Sequence, residues 1–443
     1  MTEPAPLSYG QLSVWRDVRG LDATRRHEAN TRSVWALSPQ RGADPAASPA
    51  PAAVTVSEVE QALLALGRRH ESLRTVYDLS DPYAPTQRVL PSCAVETGVF
   101  ECALDAFAEF DACVEQLAAR PFDLATEPSW RCRIVTQAGR PYAAVVVKHH
   151  ITADGWSDDT LRREFQALLR SRAAPVSRPD PPTPRELAAW QRTGVGSART
   201  GSVGAHWEQI FGLSAASLPL GGDDAGADAA FQCAARSRSA HAAATRLAQR
   251  LSVPLSSVVL AAYVRSAARR AGAGTPVAQL MSSNRFVPPW SSVISSLNQW
   301  TATALQTPGE DFEAFVRHTH SRSLLAYRHG MYDVDEIDVL RDKLRAGREP
   351  YQATCAFNFL TAAAIAPTAS TAGREHDAPD SEPDIGWEDP FSRIGHPCYL
   401  RATDVGGHTL ELRLRTLGLP KSLTGDILAD IFAQLADTTP EGA

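Results

Sequence analysis

The nine residues His149-His150-Ile151-Thr152-Ala153-Asp154-Gly155-Trp156-Ser157 (HHITADGWS) are the most informative stretch of the chain. They follow the apolar, β-branched run Tyr142–Lys148, which is typical of a buried strand. A helix is predicted to begin at Ser157, because acidic residues occupy its first turn and apolar residues recur at helical spacing after them. The stretch therefore links the end of a strand to the N-terminus of a helix.

The two adjacent histidines suggest proton-transfer chemistry. Side chains alternate along a strand, so one imidazole is expected to face a cavity and the other to pack inside. An imidazole with a pKa near 6.5 takes a proton from an amine or alcohol at neutral pH, commonly worth about 10² to 10⁴ in rate. Asp154 either orients the active imidazole or anchors the loop through a salt bridge. From these residues alone, two structural histidines or a metal site remain open, but adjacent strand residues diverge and no third ligand is near.

Length and composition describe a globular protein of two or three domains. The chain has 443 residues, of which 44% are hydrophobic and 21% charged. Its 44 basic and 50 acidic side chains give a net charge of −6, which argues against nucleic acid and anionic membrane as partners. Seven cysteines without a CxxC pair are expected to be reduced thiols. With no run of 18 apolar residues and no leader pattern, a cytoplasmic protein is predicted.

Composition places a domain boundary near residues 181–204. Residues 171–184 are rich in Pro, Arg and Ser, and residues 193–204 are rich in Gly and Ser, around a short helix at Glu186–Gln191. We therefore expect an N-terminal domain 1–180, a linker 181–204 and a C-terminal domain 205–443. Strand and helix patterns occur on both sides, so both domains are predicted to be α/β.

Several elements are predicted individually. In the N-terminal part, a helix capped by Ser57 and Glu60 and a hairpin of strands Cys132–Thr136 and Tyr142–Lys148 are expected. In the C-terminal part, helices are predicted near Ala240–Leu251, Leu255–Ala271, Asp311–Ala326 and Ser422–Ala436, and strands near Val277–Ser282, Gln352–Phe359 and Leu410–Arg415. The Pro-rich stretches Gln40–Ala53 and Ala366–Ile385 are predicted to be loops.

Further segments accompany the histidine motif in a fixed order. They are Leu7–Trp15 (LSYGQLSVW), Arg69–Thr75 (RHESLRT), Arg120–Leu124 (RPFDL) followed by Pro128 and Arg131, and Ser283-Asn284-Arg285. Together with HHxxxDG, this order resembles the condensation-domain superfamily of nonribosomal peptide synthetases, which is similar in fold to chloramphenicol acetyltransferase. The resemblance extends from Leu7 to about Ala436.

The resemblance implies a fold and a set of roles. The fold is a pseudo-dimer of two acetyltransferase-like α/β subdomains in a V shape with a central channel. His150 faces this channel as general base or as the group that positions the nucleophile, and His149 is structural. Asp154 is expected to form a salt bridge with Arg74, and Gly155 to let the backbone approach the acyl group closely.

The resemblance also implies substrates and partners. The donor is an acyl group on the phosphopantetheine arm of an acyl or peptidyl carrier protein, and the acceptor is a small-molecule amine or alcohol. Residues expected to line the channel are Trp156, Asn298, Trp300 and Asn358. No metal and no bound cofactor are expected, and the enzyme is predicted to be a monomer.

Two segments depart from the family pattern. Val293–Trp300 (VISSLNQW) stands where the family has GxFVNT, with no glycine. Cys355–Leu360 (CAFNFL) resembles the FNYLG segment of epimerization domains. However, Gly155-Trp156-Ser157 is the condensation form, and no glutamate between 282 and 292 supplies a second acid/base. Condensation is therefore favoured over epimerization.

Two further segments, at Lys148 and at Asp404–Leu410, support local predictions. Lys148 shares a face with His150 if the strand stays regular, in which case its charge would lower the imidazole pKa. Asp404–Leu410 (DVGGHTL) superficially resembles a carrier attachment motif, but Thr409 replaces the serine and the following residues alternate as in a strand. Gly406-Gly407 is therefore predicted to be a hairpin turn.

The sequence thus predicts a free-standing condensation enzyme of specialised metabolism that forms an amide or an ester. Two alternatives are an acyltransferase that uses acyl-CoA or a lipid alcohol, and a non-catalytic docking module that recruits tailoring enzymes to a synthetase. The intact HHxxxDG argues against the docking module.

Overall fold

The computed structural model describes residues 2–37, 54–92, 95–103, 106–171, 180–213, 229–272, 275–306, 311–344, 353–362, 383–390 and 395–437. Its helices are α1 Tyr9–Val18, α2 Val56–Arg69, α3 Phe107–Ala119, α4 Gly155–Arg170, α5 Pro184–Gln191, α6 Gly194–Phe211, α7 Arg238–Leu251, α8 Leu255–Ala271, α9 Phe312–Tyr327, α10 Val334–Leu344 and α11 Lys421–Ala436. Its strands are β1 Ala5–Pro6, β2 Asn30–Ala36, β3 Thr75–Asp78, β4 Thr86–Val89, β5 Val99–Glu101, β6 Trp130–Gln137, β7 Arg140–His149, β8 Ala230–Ser237, β9 Val277–Ser282, β10 Gln299–Ala304, β11 Cys355–Ala362, β12 Gly386–Glu388, β13 Cys398–Val405 and β14 Thr409–Leu417. The predicted loop Gln40–Ala53 and residues 366–382 of the second predicted loop lie outside the described residues.

The described residues form two compact units. The first comprises the chain up to Ser197 together with Ser283–Asn298, and the second comprises Ala198–Ser282 and the described residues from Gln299 onward. Because Ser283–Asn298 belongs to the first unit, that unit is not contiguous in sequence. Residues 181–204, predicted to be a linker, contain helix α5 and the first part of α6.

The first unit is built on a four-stranded sheet in the order β2-β7-β6-β5. β6 and β7 pair antiparallel as predicted, and Gly139 in their turn has a φ of 70°, which glycine adopts readily. Helices α2 and α4 pack on one face of the sheet and α3 packs on the other. Both faces of β7 are therefore buried, which accounts for its continuous apolar sequence. A separate three-stranded sheet has the order β1-β4-β3.

Capping boxes begin two helices of this unit. Ser8 caps α1, with Gln11 bonding back to the Ser8 backbone, so two residues of the LSxxQ segment have a direct structural role. Helix α2 is capped by Thr55 and Glu58. The prediction of a box formed by Ser57 and Glu60 is therefore wrong by two residues.

The second unit is built on a seven-stranded mixed sheet in the order β10-β9-β11-β13-β14-β8-β12. Helices α7, α8, α9 and α11 cover one face, where they form the largest apolar cluster of the described residues. On the opposite face, α6 and α10 pack against the end of the sheet formed by β9 and β10. The β13–β14 turn contains Gly406 and Gly407 at φ values of 64° and 74°, as predicted for a hairpin.

Among the described helices, none is by itself long and apolar enough to cross a membrane. Helices α7 and α8 meet the length and composition criteria only as a pair, and they are bent by 109° relative to each other.

Candidate active site

The histidine motif occupies the turn between β7 and α4. β7 ends at His149, and α4 begins at Gly155, two residues earlier than predicted. The difference arises because Asp154 is the N-cap residue, with its Oδ1 accepting a hydrogen bond from the Ser157 backbone N–H at 2.8 Å. The motif residues thus lie at the junction of a buried strand and a helix N-terminus.

His149 is buried, with 4% of its surface exposed. Its Nδ1 accepts a hydrogen bond from the Ile151 backbone N–H at 3.1 Å, which requires an unprotonated Nδ1. Burial, with a smaller contribution from the charge of His150, lowers the pKa of His149 to about 3. His149 is therefore neutral at physiological pH.

His150 is only partly buried, and a hydrogen-bond relay stands behind its ring. Its backbone N–H donates to Ala29 O at 2.8 Å. Its Nδ1 lies 3.3 Å from Ser296 Oγ, and Ser296 Oγ donates to Asn298 Oδ1 at 2.8 Å. Because the Ser296 hydroxyl has one proton and gives it to Asn298, Ser296 Oγ accepts from His150 Nδ1–H. This tautomer leaves the basic lone pair on Nε2.

Asp154 is the central anchor of the site. Arg285 Nη2 donates to its two carboxylate oxygens at 2.8 and 3.0 Å, and both residues are buried, with 7% and 4% exposure for Arg285 and Asp154. The Leu297 backbone N–H donates to Asp154 Oδ2 at 3.0 Å. One carboxylate therefore holds the start of α4, the Arg285 guanidinium and the backbone beside Ser296.

The expected salt bridge between Asp154 and Arg74 is wrong. Arg74 Nη1 donates to Leu90 O at 2.9 Å, whereas the ion pair of Asp154 is with Arg285. Arg285 belongs to the SNR segment, which the sequence singled out without assigning it a role. A buried carboxylate in an arginine-rich chain needs a cationic partner, but sequence spacing does not specify which arginine supplies it.

Arg285 also organises the segment Ser283–Asn298. Its guanidinium donates to three backbone carbonyls and one hydroxyl: Ser291 O at 3.2 Å, Val293 O at 2.7 Å, Ser295 O at 3.2 Å and Ser157 Oγ at 2.8 Å. The segment packs tightly against α1, since a Cβ added at Gly10 would lie 2.3 Å from Ser296 O. Gly10 and Arg285 thus place Ser296 where it meets His150.

The remaining predicted site residues fall into two groups. In the first unit, Trp156 is 54% exposed, and a Cβ added at Gly155 would meet no heavy atom within 4 Å. Asn298 is brought to the site through Ser296. In the second unit, the Trp300 ring lies 5.6 Å from the Tyr399 ring, and Asn358 Nδ2 donates to Tyr399 Oη at 3.3 Å. Tyr399, which the sequence reasoning missed, therefore joins Trp300 and Asn358 on one face of the sheet.

The regular strand on which the Lys148 hypothesis depends does not extend to His150. The strand ends before His150, and the Lys148 ammonium is buried, with 1% exposure. It donates to Asp158 Oδ1 at 2.5 Å and to Ser33 Oγ at 3.1 Å. Its charge is balanced by Asp158 within the first unit.

No group of three His, Cys, Asp or Glu side chains within the described ranges is arranged to hold a metal ion.

Comparison with known proteins identifies the family. A sequence model described as Condensation domain matches residues 45–375, and the chain belongs to this family. The resemblance seen in the sequence is therefore confirmed, as is the α/β acetyltransferase-like fold class.

Individual relatives cover only part of the chain. Cyclosporin synthetase simA of Tolypocladium inflatum is 34% identical over 145 residues, which is 31% of this chain and 1% of the synthetase. Phosphinothricin tripeptide synthetase PhsC of Streptomyces viridochromogenes is 32% identical over 164 residues, or 35% of this chain and 15% of the synthetase. The chain thus spans a small fraction of the length of these relatives.

Solved structures match over the whole chain. The condensation domain that mediates chain release from the enacyloxin polyketide synthase has a TM-score of 0.78 at 19% identity, covering 100% of this chain and 84% of that one. SgcC5 from Streptomyces globisporus has a TM-score of 0.73 at 16% identity, covering 98% of each chain. At these identities the similarity establishes the fold.

Proposed function

We propose that the chain joins an acyl thioester, carried on the phosphopantetheine arm of a carrier protein, to a small-molecule amine or alcohol. Condensation domains form amide and ester bonds in natural-product biosynthesis and act on carrier-tethered substrates. The observation that carries the proposal is the relay from His150 through Ser296 to Asn298 behind a partly exposed imidazole.

His150 Nε2 is the proposed proton acceptor. As the nucleophile attacks the thioester carbonyl carbon, its proton passes to Nε2, and Ser296 stabilises the resulting imidazolium by accepting from Nδ1–H. The tetrahedral oxyanion then collapses, the C–S bond breaks, and the phosphopantetheine sulfur leaves as a thiol with the proton returned by His150. Backbone N–H groups in the first turn of α4 are the proposed oxyanion donors, since the positive end of the helix dipole lies there.

Other residues have supporting roles in this proposal. His149, neutral and buried, fixes the turn through its bond from Ile151. Asp154 and Arg285 hold the helix and the Ser296 segment together. The open space at Gly155 is where the acyl group approaches the backbone. The substrate contacts expected at Trp156, Asn298, Trp300 and Asn358 stay predictions, as do the free-standing and monomeric states.

The test is intact-protein mass spectrometry of acyl-loaded carrier proteins from neighbouring biosynthetic genes. Wild type is expected to unload a carrier when an amine or alcohol is supplied, and His150→Ala to lower the rate at least 10²-fold, in line with loss of a general base. Turnover of acyl-CoA with no turnover of any carrier would favour the acyl-CoA alternative. Equal product formation by wild type and His150→Ala would contradict catalysis and favour a docking module.

A further inference from the structure

The exposed face of helix α9 combines two large apolar side chains with arginines. Leu324 and Leu325 are 53% and 47% exposed. Arg317, Ser321 and Arg328 are exposed on the same face, because residues 317, 321, 324, 325 and 328 follow helical spacing. The opposite face, with Phe315, Val316 and Ala326, is buried in the core of the second unit. We call Arg317, Leu324, Leu325 and Arg328 the α9 face.

Within α9, the charged side chains around the two leucines are arginines. Residues 314–332 contain three arginines and no acidic residue, although the whole chain has a net charge of −6. Glu313, in the first turn of α9, forms ion pairs with Arg250 at 2.5 Å and with Arg317 at 3.5 Å. Toward the C-terminal end of the helix, where the leucines lie, the charged side chains are Arg322 and Arg328. Acidic residues flank this stretch at Glu313 and Asp333, and the formal charge between them is positive.

The pKa values of two neighbouring histidines are consistent with a positive local charge. Burial and Arg322 lower the pKa of His318, and burial and Arg328 lower the pKa of His329. Among the described residues, no acidic side chain affects the pKa of either ring. A carboxylate within a few ångströms would act in the opposite direction.

The pair of leucines is unusual for this chain. Ten large apolar side chains of the described residues are exposed: Tyr83, Val99, Trp156, Leu213, Phe286, Leu324, Leu325, Val339, Leu360 and Trp387. Of these, only Leu324 and Leu325 are adjacent in sequence. Contiguous apolar surface with a charged rim is typical of a protein interaction site.

We infer that the α9 face docks the acidic surface of the carrier protein that presents the acyl group. Charge complementarity selects this occupant, because an acidic helix with an apolar side chain toward α9 would pair with Arg322 and Arg328 and cover the two leucines. The inference rests on the proposed function, which requires a carrier as partner. It adds the surface by which the carrier is recognised.

A role of the α9 face in carrier docking can be distinguished from a role in catalysis by comparing two acyl donors. One donor is the acyl-loaded carrier found to be unloaded by the wild type, and the other is the same acyl group on free pantetheine, which has no protein surface. The variants are Leu324→Gln/Leu325→Gln and Arg328→Glu. Matched controls are Val339→Gln, which removes an exposed apolar side chain from α10, and Arg140→Glu, which reverses an exposed charge at the first residue of β7.

We expect each α9 variant to raise the KM for the acyl carrier about 10-fold, the size of an interface contact worth about 1.4 kcal/mol, with kcat unchanged. Turnover of acyl-pantetheine should stay at the wild-type level, and both controls should behave as wild type with both donors. Added salt should raise the carrier KM of the wild type more than that of Arg328→Glu.

The outcomes separate the two proposals. If the wild type unloads none of the acyl-loaded carriers tested, the proposed function fails and the docking inference fails with it. If the wild type uses both donors and the α9 variants leave the carrier KM unchanged, the docking inference alone is overturned. An equal loss with both donors would also overturn it, since that result indicates damage to the fold or the site.

Discussion

At the residue scale, the pairing of Asp154 with Arg285 decides how the site is held. Breaking a buried ion pair by removing one partner typically costs about 3 to 5 kcal/mol, because the remaining charge is left unpaired. The Asp154 carboxylate also caps α4 and binds the Leu297 backbone, so its loss disrupts three connections.

A double-mutant cycle tests this pairing. Asp154→Asn and Arg285→Met should each lower the free energy of unfolding by about 3 kcal/mol, and the double variant should lose clearly less than the sum. The cycle of Asp154→Asn with Arg74→Met should show additive losses, because Arg74 bonds to Leu90 O. Urea unfolding provides the measurement. Strong coupling to Arg74 and none to Arg285 would show that the pairing is assigned wrongly.

A second residue-scale prediction concerns Ser296, a positioning residue for His150. Ser296→Ala removes the acceptor for Nδ1–H, so the imidazolium loses a hydrogen bond and the neutral ring loses its fixed tautomer. We expect kcat to fall about 10-fold, equivalent to about 1.4 kcal/mol, and the acidic limb of the pH–rate profile to shift to lower pH because the imidazolium is less stable.

The matched control is Ser292→Ala, at a serine of the same segment. The Ser292 hydroxyl donates to Pro289 O at 3.1 Å and not to His150. This variant should leave kcat and the pH profile unchanged. A Ser296→Ala enzyme with a lower kcat but an unaltered pH profile would indicate a general structural effect instead of tautomer control.

Site residues that lie close together in the chain could be predicted from the sequence. Their hydrogen-bond partners from distant parts of the chain could not. HHxxxDG identified the turn, because its residues are contiguous. The partners Arg285 and Ser296 lie 131 and 146 residues away from Asp154 and His150, so only the folded chain brings them together.

At the scale of elements, the position of Gly155 at the start of α4 allows a test of whether the substrate approaches the backbone there. A Cβ at this position meets no protein atom within 4 Å, and alanine is favoured over glycine in a helix by about 0.5 to 1 kcal/mol. Gly155→Ala should therefore be at least as stable as the wild type. If the acyl group passes this point, the variant should turn over at least 10-fold more slowly.

Gly10→Ala is the informative contrast. Its Cβ would lie 2.3 Å from Ser296 O, so we expect lower stability together with lower activity. Thermal unfolding and steady-state kinetics of both variants give the comparison. A Gly155→Ala enzyme with full activity would show that no substrate atom approaches there.

The first residue of each helix depends on which side chain caps it, and the sequence offered more than one possible cap for α2 and for α4. Thr55 with Glu58 and Ser57 with Glu60 both match the capping-box pattern, and the structure uses the first. Likewise, Asp154 caps α4 although Ser157 also fits the pattern. The β6–β7 and β13–β14 hairpins were predicted well, since their glycines adopt the positive φ values that such turns require.

At the scale of the whole molecule, buried histidines predict a loss of stability in mild acid. The pKa of His149 is about 3, below its value of about 6.5 in an unfolded chain. Protonation therefore favours the unfolded chain: the stabilising contribution is complete above about pH 6.5 and is lost as the pH falls toward 3. Each pH unit in this window costs about 1.4 kcal/mol for one such group. His396, with a pKa of about 4, acts in the same direction in the second unit.

The check is the free energy of unfolding at pH 7, 6 and 5. His149→Gln should be less stable at pH 7 but should have a flatter pH dependence than the wild type, by about one proton between pH 6 and 5. His408→Gln, at the exposed β13–β14 turn, is the matched control and should keep the wild-type slope. An unchanged slope in His149→Gln would contradict the lowered pKa.

The noncontiguous first unit also has a consequence for how condensation domains of this kind can be recombined. A hybrid that joins this chain to a relative at Ser197 would take Asp154 from one parent and Arg285, Ser296 and Asn298 from the other. The segment to transfer is therefore the N-terminal stretch together with Ser283–Asn298. Hybrids that receive both pieces from one parent should keep the hydrogen bonds from His150 through Ser296 to Asn298. If the parents differ at these few residues, we expect the hybrid to have lower activity even where every secondary-structure element is preserved.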